Sequence, residues 1–415
     1  MSARPWRLVL LLCATATASY LCRVNLSVAG ALLMPDLGLS QIEMGRVFSA
    51  FLLGYALFQI PAGMLADRWG SRRVLALAAF AWVAVTALMA ASGWGWLGRT
   101  SAGMLLVLLA LRFVIGACEA PTFPAAAHGV ARWIPPARQG RANGIVIAGV
   151  GLGSALAPPL LSVVMTRWGW RAALLASALP ALAVALAWLG MHEPQVAVIP
   201  TVSSSPPTTK RSSLKTLSFV LLTASYTLQG YVGYIFVFWF YLYLVQERHF
   251  DLLRGAAFSS LPWILSIVSI PLGGIVSDRL VAGRLGLGWG RRAVPLFGLT
   301  FAGVFLALGA QTENAYAAVV YLTLATALVL SVEGPFWATM MEIAGSGTGT
   351  AGGVMNMGTN VGGLVSPALT PILAAHLGWK NALYVAAVIS VLGASLWLGI
   401  TPPESDSPST QPHAV

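Results

Sequence analysis

Gly63-Met64-Leu65-Ala66-Asp67-Arg68-Trp69-Gly70-Ser71-Arg72-Arg73 closes one apolar stretch and opens the next. Its first part returns in the second half of the chain as Gly274-Ile275-Val276-Ser277-Asp278-Arg279. A longer segment, Ala142 to Leu174, aligns without gaps on Ala351 to Leu383. Gly144 falls on Gly353, Gly149 on Gly358, Gly153 on Gly362, Pro158 on Pro367, and Gly169-Trp170 on Gly378-Trp379. Chance does not hold glycines, a proline and a tryptophan in one register over such a length. The chain is a duplicated unit.

Composition says what was duplicated. The 415 residues are 57% hydrophobic and 9% charged, where a soluble domain carries about 25% charged residues. Apolar stretches near the ~20 residues that cross a bilayer as a helix recur throughout. They lie at 8–33, 45–66, 74–92, 104–128, 142–164, 171–190, 216–245, 255–277, 293–311, 316–341, 350–375 and 380–400. The expected fold is an all-α polytopic membrane protein: twelve transmembrane helices in two six-helix pseudo-symmetric halves, 1–191 and 216–401. Residues 192–215, with Ser203-Ser204-Ser205-Pro206-Pro207 and Lys210-Arg211, read as a flexible cytoplasmic linker, and 402–415 as a disordered tail. Two six-span repeats are the pattern of carriers that rock one half against the other around a central site.

The net charge of +11 does not point to nucleic acid. About fifteen of the Lys and Arg residues fall in alternate loops, among them Arg4, Arg7, Arg132, Arg138, Arg141, Arg284, Arg291 and Arg292, and that asymmetry places both termini in the cytoplasm. The N-terminus imitates a signal peptide, but its apolar pattern resumes past Arg23 to Leu33, so it reads as an uncleaved first span. Cys13, Cys22 and Cys118 all lie within apolar spans and show no metal spacing. The Asn25-Leu26-Ser27 sequon lies inside the first span and is discounted.

Two opposite charges sit at bilayer depth. Glu119 lies in Gly116-Ala117-Cys118-Glu119-Ala120-Pro121, and Arg23 interrupts the first span. An ionisable side chain there costs at least ~2.5 kcal/mol on insertion scales, so it marks function by default. Arg23 is too deep to snorkel to the interface. Arg112, one to two turns before Glu119, either pairs with it or sits against another helix. In the opening loop motif, Gly63 permits close helix approach and Asp67 can meet a helix N-terminus. Arg68, Arg72 and Arg73 can lock that contact on the cytoplasmic side. Asp278 and Arg279 repeat the device in the second half.

The loop motif resembles the signature of the major facilitator superfamily, and the resemblance spans the whole chain. Tyr20 to Ala29, Glu119 to Pro124 with Trp133-Ile134-Pro135-Pro136-Ala137-Arg138, and Ala351 to Asn360 resemble the first, fourth and eleventh spans of its anion:cation symporters. That group contains bacterial sugar-acid carriers, sialin and the vesicular glutamate transporters. The resemblance implies proton-coupled symport of a small organic anion, with Arg23 binding the anion and Glu119 coupling the proton. Bacterial sugar-acid carriers commonly have Asp where this chain has Cys22, so one proton site of their pattern is missing and the coupling ratio is open. Galactonate-type carriers place Gln where this chain has Val150, which makes a polyhydroxy substrate less secure. The vesicular members' fourth-span His aligns on Ala127, so the neighbouring His128 reads as interfacial and structural.

Further candidates follow from position. Tyr231 and Tyr234 stand out in the aromatic seventh span, which lines the site from the other half in the family. Asn356 and Asn360, four apart on one helical face, can bond an anion's far end. Tyr55 and Gln59 share a face of the second span. Glu333, before Gly334-Pro335, is a possible second acid, or a structural partner of Arg23 or Arg112.

The leading expectation is a proton-coupled organic-anion symporter of the bacterial cytoplasmic (inner) membrane, acting as a monomer without cofactor, metal or nucleic acid. An anion exchanger or a drug-efflux proton antiporter of the same superfamily is the alternative, although a deep arginine opposes cationic drugs. A membrane sensor would add a signalling domain. An enzyme would need a nucleophile–base pair, metal cluster or phosphate loop, none of which the sequence displays.

Overall fold

The structure is a computed structural model that describes residues 4–92, 100–191, 216–344 and 348–401. The expected linker at 192–215 and tail at 402–415 lie outside the described residues. The N-terminal half contains α1 (Arg4–Leu37), α2 (Gln41–Trp69), α3 (Ser71–Ala90), α4 (Ser101–Glu119), α5 (Thr122–Trp133) and α6 (Pro136–Gly190). The second half contains α7 (Leu217–Phe238), α8 (Phe240–Leu242), a π-helical turn Tyr243–Glu247, α9 (Leu252–Ala282) and α10 (Gly286–Gln311). It ends with α11 (Ala315–Ser331), α12 (Glu333–Ala344), α13 (Thr348–Leu377) and α14 (Trp379–Leu396). No strand occurs among the described residues.

Ten described helical stretches are long and apolar enough to cross a bilayer. One of them, Arg141–Gly190, is two crossings joined at Gly169, whose φ of 79° breaks the helix. α13 supplies the eleventh span, its Gly, Thr and Asn residues diluting its hydropathy. Twelve crossings result. The repeat is visible in the backbone. Gly169 and its mate Gly378, at φ 79° and 81°, make the turns into the sixth and twelfth spans, a conformation that favours glycine.

The same repeated glycines set the packing. A Cβ on Gly149 or Gly153 would strike the carbonyls of Cys13 and Thr17 on the first span. On Gly358 or Gly362 it would strike Thr227 on the seventh. Small residues let backbones approach where lipid offers no hydrophobic drive between helices. The fifth span therefore clasps the first, and the eleventh clasps the seventh, by one device used twice. Large apolar side chains such as Leu57, Ile60, Leu160, Leu179, Val268 and Val388 point outward. Polar and charged side chains collect inside.

Three spans expected to be continuous are broken, the seventh into α7, α8 and the π-helical turn, parted at Trp239. The fourth is α4 and α5, because Pro121 lacks an N–H to continue the ladder. The tenth is α11 and α12, parted at Val332. The breaks in the fourth and tenth spans each fall beside a glutamate.

The halves touch toward one end. Ser27 Oγ donates to the Val237 carbonyl at 3.4 Å, Gln41 Nε2 to Gln246 Oε1 at 2.9 Å, and Ser49 Oγ to the Leu364 carbonyl at 2.8 Å. Ser162 Oγ donates to the Leu252 carbonyl at 2.8 Å and Ser260 Oγ to the Ala155 carbonyl at 2.6 Å. Phe48 packs on Phe238 and Trp239. All of these lie toward the Leu37–Gln41 turn. Among the described residues, no hydrogen bond joins the halves nearer the end that carries Asp67 and Asp278. The structure is closed at one end of the two-fold arrangement.

Candidate functional site

Arg23, Arg112 and Glu119 meet inside the N-terminal half, 2%, 0% and 0% exposed. Arg23 Nη2 lies 3.1 Å and its Nε 3.2 Å from Glu119 Oε2. Ser19 Oγ donates to the same oxygen at 2.9 Å. Glu119 Oε1 has no hydrogen-bond partner. Arg112, two turns before Glu119 on α4, donates Nη2 to the backbone carbonyl of Arg23 at 3.0 Å, while its Nε and Nη1 are unpartnered. It makes no ion pair with Glu119, and of the two sequence readings the seat against a neighbouring helix is the one found.

Aromatic faces surround the charges. The Arg23 guanidinium carbon is 4.4 Å from the Tyr20 ring, 4.9 Å from Phe51 and 4.8 Å from Tyr55. Phe51 also meets the Arg112 guanidinium at 4.9 Å, so one ring serves both cations. Such contacts are worth about 2 kcal/mol when desolvated. Two guanidinium groups against one carboxyl leave at least one excess positive charge, whether or not the carboxyl is ionised. That centre is complementary to an anion.

Other expected residues divide into near and far. Tyr55 is in the cage. Tyr234, on the opposite half, lies within electrostatic reach of Arg23. Tyr231 turns away, its hydroxyl 3.4 Å from Thr370 Oγ1. Gln59, Asn356 and Asn360 make no hydrogen bond among the described residues, and Asn356 and Gln59 are partly exposed. Glu333 approaches neither arginine. It accepts from Tyr226 Oη at 2.8 Å and Gln229 Nε2 at 3.0 Å within its own half.

The two loop motifs differ. Asp278 pairs with Arg291 at 2.6 Å, and Arg291 also bonds Glu342 at 2.8 Å. Asp67 is exposed and has no ion pair among the described residues. Arg72 donates to the carbonyls of Trp188 and Leu189 at the end of the sixth span. Arg68, Arg73 and Arg279 are exposed. Gly63 sits against Pro124 on α5, where an added Cβ would lie 3.8 Å away. His128 Nδ1 bonds Ser71 Oγ at 2.9 Å. Cys22 is buried against the Ser177 carbonyl at 3.5 Å.

Sequence reading missed Ser19, Tyr20 and Phe51. Helical spacing held the signal. Ser19 and Tyr20 lie four and three residues before Arg23, and Phe51 four before Tyr55, so each shares a face with its neighbour.

Fold and site together define a duplicated helical membrane protein with an anion-complementary centre. The chain belongs to the Major Facilitator Superfamily, whose family model matches residues 11–367 and 280–414. It is 31% identical to a probable sulfoacetate transporter of Cupriavidus necator, over 94% of this chain and 92% of that one. It is 28% identical to a probable galactarate/D-glucarate transporter of Bacillus subtilis, over 94% and 90%. The fold superposes on a bacterial homologue of the human lysosomal transporter Spinster, in an inward-facing and occupied conformation. There the TM-score is 0.81 and the identity 18%, covering 96% of this chain and 97% of that one.

Proposed function

We propose that the protein is a secondary active transporter that moves a small organic anion, a carboxylate or sugar acid, together with protons by alternating access. The observation that carries this reading is the sealed Arg23–Glu119 pair with the second guanidinium of Arg112 beside it. Sulfoacetate and sugar-acid carriers among the relatives support the substrate class.

The Glu119 carboxylate and the substrate anion compete for the same guanidinium. With Glu119 ionised, Arg23 is held by it. A substrate carboxylate that takes the Arg23 fork draws it away from Glu119. Removing one partner of a buried pair costs about 3–5 kcal/mol, because a charge is left uncompensated. A proton on Glu119 removes that charge. Anion and proton thus enter together, and one site couples them. In this reading Asn356, Asn360, Gln59 and Tyr234 bond the far end of the anion, and Tyr231, whose hydroxyl meets Thr370, does not.

The positive-inside asymmetry supports cytoplasmic termini in a bacterial inner membrane, with the monomer as the working unit. In that orientation the open end faces the cytoplasm. Asp67 then acts as a gate that engages when this end closes, while Asp278, Arg279 and Arg291 brace the second half. An anion exchanger uses the same arginine but needs no proton site. A drug-efflux antiporter would bring a cation toward two guanidinium groups. The test is uptake into proteoliposomes of sulfoacetate, D-glucarate, D-glucuronate, simple mono- and dicarboxylates and phosphate, with and without an imposed pH gradient. Accumulation of an organic anion driven by the gradient supports the reading. Uptake indifferent to the gradient and dependent on an anion inside supports exchange.

A further inference from the structure

The breaks in the fourth and tenth spans carry the same three-residue pattern: Glu119-Ala120-Pro121 and Glu333-Gly334-Pro335. In each half the glutamate stands at the break between two helices of one span. In each half its partners come from the first helix of that half. Glu119 meets Ser19 and Arg23 on α1; Glu333 meets Tyr226 and Gln229 on α7. The fold therefore holds two carboxyl sites related by its own repeat.

They differ in one respect. Glu119 is bonded to a guanidinium. Glu333 has no cation partner among the described residues, and its donors are neutral: a phenol and an amide, with the Trp337 indole close by. The elements packed against α12 are α7, α9, α10 and α13. Their titratable and charged side chains are Tyr226, Tyr231 and Tyr234; Arg254, Asp278 and Arg279; Arg291 and Arg292; and His376. Only Tyr226 bonds Glu333. Arg291 is engaged by Asp278 and Glu342, and Arg254 by Asp251. Glu333 is also the first residue of α12, where the helix dipole is positive. Neutral donors and a dipole hold a charge without fixing it. A proton there is not displaced by a permanent counter-ion and can come and go. Glu333 is partly exposed, whereas Glu119 is sealed.

We propose that Glu333 is a second proton-exchange site, which adds one proton to each anion carried. A proton from water on the open side adds to a carboxylate oxygen, and leaves from it to water on the other side. With Glu119 this makes two protons per anion. A dianion such as sulfoacetate or D-glucarate then crosses without net charge, and a monovalent D-glucuronate carries one positive charge inward. This stoichiometry rests on the symport reading above; proton exchange at Glu333 does not.

The experiment has two arms. The first needs no substrate: infrared difference spectra of the purified carrier in vesicles between low and high pH. The carboxylic-acid C=O band of Glu333 is lost in Glu333→Gln, kept in Glu119→Gln, and shifted in frequency in Tyr226→Phe. The second is uptake of D-glucarate and D-glucuronate under an imposed voltage. Glu333→Gln drops the ratio from two protons per anion to one. A spectrum unchanged by both Glu333→Gln and Tyr226→Phe overturns the proposal. So does an unchanged ratio in Glu333→Gln. If Glu333→Gln is not recovered folded, the Tyr226→Phe spectrum decides alone, and an unshifted band overturns it. A band lost with no anion carried by the wild type removes the symport reading and leaves the proton site standing.

Discussion

Arg23 directs both Nε and Nη2 to one oxygen of Glu119, at 3.2 and 3.1 Å, and leaves the other oxygen unpartnered. The pair is buried but lopsided. A charge held through one oxygen is exchangeable for a ligand that offers two, because parallel guanidinium–carboxylate bonds add geometry to charge.

Arg23→Lys keeps the charge and loses the fork. Hydrogen bonds to charged groups contribute about 1.5–3 kcal/mol each, so uptake falls by roughly ten- to a hundredfold. The check is initial uptake in proteoliposomes at matched protein density. Wild-type uptake by Arg23→Ala would remove Arg23 from the site.

Asp67 and Asp278 sit near the ends of the repeat-related helices α2 and α9, and among the described residues Asp278 is paired and Asp67 is not. Asp67→Asn slows exchange between the two conformations while equilibrium affinity stays within a few-fold. Counterflow rate and substrate binding, measured on one preparation, separate the two quantities. Weaker binding with an unchanged rate would contradict a gating role.

Gly54 and Gly116 bring the second and fourth spans together. A Cβ on Gly54 would strike the carbonyl of Phe113, and one on Gly116 the carbonyl of Phe51. Gly54→Leu wedges the spans apart. Overpacking costs about 1–3 kcal/mol, so the melting temperature in detergent falls. The displaced Phe51 also loosens both arginines, and uptake falls with it. An unchanged melting temperature would contradict the packing account.

The duplication, the twelve spans and the two buried charges were legible because each has a signature of its own. Register exposes the repeat, length exposes a span, and a charge in an apolar run exposes itself. The helix breaks were half-legible, since Pro121 was in view but its effect on the ladder depends on neighbouring helices. The seat of Arg112 was not. Two arginines near one glutamate admit several pairings, and only packing decides that Arg112 bonds the Arg23 carbonyl. Tyr231 and Tyr234 are three apart on one helix, yet one directs its hydroxyl to Thr370 and the other stacks its ring on Phe238. Aromatic richness names a span but not a face.

The central claim is that Glu119 joins the proton to the anion. Glu119→Gln mimics the protonated carboxyl and frees Arg23. The decisive measurement is accumulation of labelled D-glucarate or sulfoacetate, whichever the wild type carries, by wild-type and Glu119→Gln proteoliposomes with and without a pH gradient, beside counterflow with no gradient. The account predicts that the mutant retains counterflow and that its gradient-driven accumulation falls to what the one remaining proton per anion, at Glu333, can drive. Accumulation driven by the gradient in Glu119→Gln, at the wild-type level, would contradict it.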